Sequence, residues 1–139
     1  MMNNNKKALV LIVSAVLVNV EKKILMQKRP KGKSFSGFWE LPGGKVELYE
    51  SLESAIIREL KEELDINLKK KDLKNFTFIS HEYNDFYLLM PVYKCEKWTG
   101  SIKKNENQKT KFCDINEIKK MKILEADSKL IEPIELLLS

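Results

Sequence analysis

Residues 43–66 read GGKVELYESLESAIIRELKEELDI, and this stretch is the most informative part of the chain. Two glycines open it and predict a turn whose backbone can approach a ligand closely. The remainder has a helical pattern, because leucine or isoleucine recurs at every fourth position and would form one buried stripe. That stripe consists of Leu52, Ile56, Leu60 and Leu64.

Three acidic residues follow one margin of the predicted stripe. Glu59, Glu62 and Glu63 are three or four positions apart at most, so they fall within roughly 100° of the helix surface. Like charges at this spacing oppose each other by roughly 0.2–0.5 kcal/mol, and a bound divalent cation would remove that cost. Magnesium prefers oxygen ligands from carboxylates and carbonyls, together with substrate phosphates.

An acidic helix face is equally typical of a solvated surface, and the helix alone does not decide between the two interpretations. The preceding turn, LPGG at 41–44, favours the metal site, because glycine leaves backbone carbonyls free to coordinate. Lys45 follows directly and would place a cation beside bound phosphates. We therefore predict a metal site that splits a diphosphate.

The spacing of these residues resembles the signature of the Nudix hydrolases, which cleave nucleoside diphosphates linked to another group. Gly44 is followed after five residues by Glu50, and after seven more by the run RELKEE at 58–63. The run WELPGG at 39–44 extends the resemblance. One position differs, since Asp65 stands where the family usually has glycine. Asp tolerates the left-handed conformation better than most residues, so we expect the helix to end there.

The resemblance implies hydrolysis by water with Mg²⁺ as cofactor and Mn²⁺ as the alternative. Glu59 or Glu62 would accept the proton from the attacking water. The metal ligands would be Gly43, Glu59, Glu62 and Glu63. Residues expected to bind substrate are Arg29, Lys45 and Asp127, and those expected to support the site are Gly44, Glu50 and Arg58. Arg29 closes a predicted strand, where its guanidinium could fork onto phosphate oxygens.

Motif and length are nearest to the MutT-like 8-oxo-dGTP diphosphatases, which implies a role in nucleotide-pool sanitation and mutation avoidance. Those enzymes often carry an asparagine that reads the purine where this chain has Asp127. A further acid of some members aligns with Lys111, which cannot ligate as a carboxylate does. Two alternatives stay open: a Nudix hydrolase of dinucleoside polyphosphates or capped RNA 5′ ends, and a Nudix domain that senses nucleotides without turnover.

The length, net charge and residue counts of the chain narrow the kinds of protein it can be. The 139 residues suit one domain, which we place at 8–139 after a disordered tail at 1–7. A net charge of +5 favours anionic partners such as nucleotides. One histidine excludes a metal site with several imidazoles, and two cysteines without metal-site spacing indicate reduced thiols in the cytoplasm. We expect no stable nucleic-acid partner, no membrane association, and a monomer, with a dimer left open.

The remaining pattern predicts an α/β fold, and the resemblance implies the Nudix α/β/α sandwich with a mixed sheet. The apolar run 8–20 is too short for a typical membrane span and predicts a long, buried central strand. Further strands are predicted at 22–27, 76–82, 87–95 and 111–114, and further helices at 116–121 and 128–138.

Overall fold

The computed structural model describes residues 6–103 and 108–139, so residues 1–5 of the predicted tail lie outside the described residues. The strands are β1 (Ala8–Leu17), β2 (Ile24–Lys28), β3 (Trp39–Glu40), β4 (Gly43–Lys45), β5 (Lys74–Glu82), β6 (Phe86–Cys95) and β7 (Thr110–Cys113). The helices are α1 (Leu52–Leu64), α2 (Ile115–Lys120), α3 (Glu125–Ser128) and α4 (Ile131–Leu138), with a 3₁₀ turn at Lys70–Asp72.

The strands form two sheets, and together with the helices they give the predicted α/β sandwich. The larger sheet has the order β4-β1-β6-β5 and is mixed, because β1 runs parallel to β6 while the other pairs are antiparallel. The smaller sheet has the order β3-β2-β7 and is antiparallel. This mixed α/β architecture confirms the fold class predicted from the sequence.

Strand β1 contributes to two separate hydrophobic cores, which explains its nearly unbroken apolar sequence. Val13, Ala15 and Leu17 pack against α1 in one core. Val16 belongs to the other core, which also contains buried side chains of β2, β6 and α4. The predicted central strand is therefore confirmed, although it ends at Leu17 because a tight turn begins two residues later.

Helix α1 has a specific signal at each end. The Ser51 hydroxyl accepts a hydrogen bond from the Ser54 N–H at 3.1 Å, which caps the first turn. At the other end Asp65 adopts the left-handed conformation with φ 57°, and its N–H donates to the Lys61 carbonyl. The expectation that Asp65 replaces the usual glycine in this role is confirmed.

Two expectations about the fold differ from the structure. Strand β4 was predicted as part of a turn and β3 was not predicted, because three and two residues are too short to show a period. The predicted helix 128–138 corresponds to α4, which begins three residues later at Ile131, and the short helix α3, which ends at Ser128, was not predicted. None of the helices in the described ranges has both the length and the apolar character that a membrane crossing requires.

Candidate active site

A cavity of about 700 Å³ lies beside the amino half of β1 and the Gly43–Gly44 backbone. Several polar residues line it, and they come from distant parts of the chain. They include Gln27, Arg29, Glu40, Lys45, Glu59, Glu63 and Asp127. Cavities of roughly 300–1,000 Å³ are typical of small-molecule sites. The cavity therefore joins most of the residues that the sequence singled out.

Strand β4 brings the glycine pair against both β1 and α1. A Cβ atom at Gly44 would lie 2.3–2.5 Å from three atoms of the Glu59 carboxylate. A Cβ atom at Gly43 would lie 2.0 Å from the Val13 carbonyl oxygen. Both distances are far below van der Waals contact, so each glycine is required by a close approach. At Gly44 the neighbour is a functional side chain, and at Gly43 it is backbone.

Arg58 organises the acidic residues around it. Its guanidinium contacts both oxygens of Glu50, with Nε at 2.7 Å and Nη2 at 2.9 Å. Its Nη1 donates to Glu59 at 3.0 Å, and Nη2 also donates to the Lys45 carbonyl at 3.1 Å. Hydrogen bonds from Arg58 hold the pKa of Glu50 down to about 2, so Glu50 stays ionised. Arg58 thus fixes Glu59 and the backbone of β4 in one arrangement.

Glu63 has an unsatisfied carboxylate. Its Oε2 atom is buried and has no hydrogen-bond partner among the described residues. Burial raises the pKa of Glu63 to about 7, the charge of Glu59 adds to the rise, and contact with Gln27 opposes it. A buried oxygen without a partner is costly unless something satisfies it. A divalent cation would satisfy it, so the residues present fit the metal that the sequence predicts.

Glu62 lies apart from the other two helix acids. Its side chain is 60% exposed, and Arg58 Nη1 contacts it at 3.4 Å. It does not line the cavity, whereas Glu59 and Glu63 do. Within residues 6–103 and 108–139, no three acidic, thiol or imidazole groups already converge on one metal position. The structure therefore brings Glu59 and Glu63 together with Gly43 and leaves Glu62 outside the cavity lining.

Arg29 lines the cavity, and its guanidinium also has partners within the protein. Nη1 lies 3.2 Å from Glu40 Oε2, and Nε donates to the Ser34 carbonyl at 2.8 Å. Burial raises the pKa of Glu40, while the charge and hydrogen bond of Arg29 lower it. Arg29 therefore ties the loop after β2 to β3. Lys45 is exposed and lines the same cavity, where its charge can reach a bound anion.

Asp127 is buried at 7% exposure and has a structural contact of its own. Its Oδ2 accepts a hydrogen bond from the Leu41 N–H at 2.9 Å, which ties α3 to the segment before the glycine pair. Burial raises the pKa of Asp127 to about 7, and the Leu41 contact opposes that shift. Next to it, Tyr83 stacks on Phe86 with ring centroids 4.8 Å apart, and both rings line the cavity.

Gln27, Glu40 and Tyr83 are among the cavity residues to which the sequence gave no role. Gln27 carried a weak signal, since it is a polar residue in an otherwise apolar strand. Glu40 lies within the WELPGG run, and Tyr83 had no recognisable signal. Lys111 lies outside the cavity lining, where its ammonium pairs with Glu117 at 2.5 Å.

Comparison with known proteins gives consistent matches. A family model described as NUDIX domain matches residues 13–133. The chain is 29% identical over 91 residues to an 8-oxo-dGTP diphosphatase of Proteus vulgaris, covering 66% of this chain and 80% of that protein. It is 30% identical over 122 residues to a CTP pyrophosphohydrolase of Escherichia coli, covering 86% and 87%.

A solved structure has a similar fold. The solution structure of the Escherichia coli ORF135 protein matches with a TM-score of 0.80 and 26% identity, covering 98% of this chain and 95% of that one. The family match spans the helix acids, the glycine pair and the cavity built around them. The chain therefore belongs to the Nudix hydrolase family and is a pyrophosphohydrolase of nucleotide substrates.

Proposed function

We propose that this protein hydrolyses 8-oxo-dGTP to the monophosphate and pyrophosphate with Mg²⁺, which would remove an oxidised nucleotide from the pool. One observation carries the proposal. A single cavity is lined both by the helix carboxylates Glu59 and Glu63 and by Asp127 beside the aromatic rings of Tyr83 and Phe86. Such a cavity can hold a diphosphate and a purine base at the same time.

The metal ligands we propose are the Gly43 carbonyl and the carboxylates of Glu59, Glu62 and Glu63. The buried, unpartnered oxygen of Glu63 supports this set. Glu62 would join it by a side-chain rotation, which its 60% exposure allows. Magnesium, when bound, neutralises charge on the diphosphate and lowers the pKa of a coordinated water.

Hydrolysis forms a new bond from the water oxygen to phosphorus, breaks the phosphoanhydride bond and releases pyrophosphate. A carboxylate must accept the proton of the water. Glu59 is better placed for this than Glu62, because Glu59 lines the cavity while Glu62 does not and is 60% exposed. Arg58 holds Glu59 at 3.0 Å and acts as a positioning residue. Lys45 would balance the negative charge of the phosphates.

Asp127 would select the base by its hydrogen-bonding capacity. An ionised carboxylate accepts hydrogen bonds and donates none. The oxidised purine carries a hydrogen on N7, whereas guanine presents a lone pair there. Asp127 would therefore attract 8-oxoguanine and repel guanine at this position. The rings of Tyr83 and Phe86 offer flat apolar surface on which a base can stack.

CTP is a second candidate substrate, and the same residue supports it. The exocyclic amino group of cytosine donates hydrogen bonds, and the Asp127 carboxylate could accept one of them. The CTP pyrophosphohydrolase relative gives this candidate a precedent at 30% identity. The two candidates share the proposed metal site and differ in the base and in the 2′-hydroxyl of the sugar.

Turnover of a nucleotide panel with Mg²⁺, with identification of products, tests the proposal. We expect 8-oxo-dGTP to be hydrolysed at least tenfold more efficiently than dGTP, which is roughly 1.4 kcal/mol of selectivity. Replacing Asp127 with alanine should reduce this ratio. Equal rates for 8-oxo-dGTP and dGTP would refute the assignment of the base, and a faster rate for CTP would select the second candidate. Full activity in excess chelator would refute the metal dependence.

A further inference from the structure

Two buried side-chain oxygens of the described residues have no hydrogen-bond partner, and they belong to Gln27 and Glu63. The proposed metal site uses the oxygen of Glu63 but not Oε1 of Gln27. Gln27 is only 3% exposed, and it lines the same cavity as Glu63. A buried amide oxygen without a partner is costly, and a ligand that donated a hydrogen bond to it would remove that cost.

The alternation of β2 places Gln27 on the side of the strand that faces α1. Ile24 and Met26 belong to one hydrophobic core, whereas Leu25 belongs to the other core together with α1. Successive side chains of a strand point to opposite sides, so Gln27 shares the side of Leu25. There its side chain contacts the Glu63 carboxylate of α1. An amide therefore stands where this core would otherwise continue with an apolar side chain.

Of the two carboxylates beside Gln27, Glu63 is the one that lacks a donor. Glu40 lies directly opposite Gln27 in the β2–β3 pair. The Glu40 oxygens lie 3.3 Å and 3.2 Å from Nη1 of Arg29, so a guanidinium already serves both of them. Oε2 of Glu63 has no such partner among the described residues. Since a glutamine amide has two N–H donors and one acceptor oxygen, Gln27 can hold Glu63 with its nitrogen and still offer Oε1 to the cavity.

We propose that Gln27 is a positioning residue of the cation site: its amide N–H fixes the Glu63 carboxylate, and its Oε1 accepts a hydrogen bond from a water held by Mg²⁺. The inference rests on the proposed metal site and extends it by one residue. Magnesium usually retains several waters and takes few ligands from the protein, so an acceptor for one of those waters suits it. Groups that orient the ligands of a metal typically change its affinity by about 10–100-fold when they are removed.

Titration with Mn²⁺ in the absence of nucleotide tests the inference, because electron paramagnetic resonance measures the free ion and gives the dissociation constant without turnover. Gln27→Met keeps the length of the side chain and removes both of its hydrogen-bonding ends. We expect the dissociation constant for Mn²⁺ to rise at least about tenfold. The metal-free variant should melt at the same temperature as the wild type or higher, because the buried, unpartnered oxygen is gone.

A double-mutant cycle shows whether Gln27 acts through Glu63. Glu63→Gln should itself weaken the binding of Mn²⁺, and adding Gln27→Met should then weaken it further by less than about twofold. Thr110→Val is the matched control, since Thr110 lies opposite Gln27 on the other flank of β2 but does not line the cavity. It should leave both the affinity for Mn²⁺ and the rate of nucleotide hydrolysis unchanged.

The outcomes distinguish a failure of this inference from a failure of the proposed metal site. Wild-type affinity for Mn²⁺ in Gln27→Met would overturn the inference and leave the metal site intact, as would a full further loss of affinity on top of Glu63→Gln. A wild type that binds no Mn²⁺ would refute the metal site and the inference together. Gln27→Leu is a second apolar replacement, so the test does not depend on the folding of one variant. If neither variant folds, the amide stabilises the fold itself, and the inference is wrong.

Discussion

A methyl group added at Gly44 should impair the active site while leaving the stability of the fold nearly unchanged. In Gly44→Ala the new Cβ would lie 2.3–2.5 Å from the Glu59 carboxylate. Ordinary contact between such atoms begins at about 3.4 Å, so Glu59 must retreat by about 1 Å. The carboxylate is the far end of a flexible side chain, and this movement is easy for the protein as a whole. It is not easy for a group that must hold a metal or accept a proton.

The expected magnitudes differ for the two properties. Repositioning one partly exposed side chain should change the free energy of unfolding by less than about 1 kcal/mol, which is roughly 3–4 °C in Tm for a chain of this size. A misplacement of about 1 Å in an active site can cost about 10²-fold in rate. We therefore expect kcat/KM to fall about 10²-fold or more while the melting transition stays close to that of the wild type.

Gly43→Ala is the matched control, because its clash is with backbone. The added Cβ would lie 2.0 Å from the Val13 carbonyl oxygen and 2.8 Å from the Ser14 Cα. Relief requires β4 to separate from β1, so we expect a loss of about 3 kcal/mol or more and a fall in Tm of about 10 °C. Thermal melts and pyrophosphate release would be measured on both variants. Wild-type turnover in Gly44→Ala, or equal destabilisation by the two substitutions, would refute this interpretation of the glycine pair.

Further predictions concern the buried acids. Glu63→Gln should lower kcat about 10²-fold or more. In chelator it should also be more stable than the wild type at pH 8 but not at pH 4. The reason is that the pKa of Glu63 is about 7 in the folded protein and near 4.5 in the unfolded chain, so the wild type loses stability as pH rises from 4.5 through 7. Urea unfolding at both pH values checks the sign of this effect. For Asp127, the preference for 8-oxo-dGTP over dGTP should increase from pH 6 to pH 8 as its carboxyl loses its proton, and a ratio independent of pH would contradict its role. Mg²⁺ at about 100 times its Kd should raise the free energy of unfolding by about 2.7 kcal/mol, and Glu63→Gln should lose most of this gain.

The sequence predicted α1 well because a helix period of 3.6 residues leaves a long, redundant signal. It did not predict which margin of the helix faces the cavity. Glu59, Glu62 and Glu63 share an arc, yet Glu62 is 60% exposed while Glu63 is half-buried with one fully buried oxygen. That difference depends on where β4 crosses the helix, and β4 has only three residues. The spacing in the sequence identifies the three acids, but only tertiary contacts determine which of them face the cavity.

Residues whose role depends on a distant partner were the hardest to predict. Arg29 contacts Glu40 and Ser34, and its expected contact with phosphate stays a prediction. Asp127 was expected to read a base, and it also accepts a hydrogen bond from Leu41, 86 residues away in sequence. A local pattern cannot show such a contact. For Asp127 it means that alanine removes both functions at once, whereas asparagine keeps an acceptor for the Leu41 N–H.

The buried acids connect stability to catalysis. Burial raises the pKa of Glu40, Glu63 and Asp127, and all three carboxyl groups line the same cavity. Near neutral pH the fold therefore holds negative charge where water solvates it poorly, and this destabilises the protein when no ligand is bound. A cation with its bound phosphates would relieve part of this penalty, so the same desolvation that destabilises the free protein strengthens binding. A protein built this way gains stability when its ligand arrives, and removal of one buried acid should weaken both the binding of metal and the response of stability to pH.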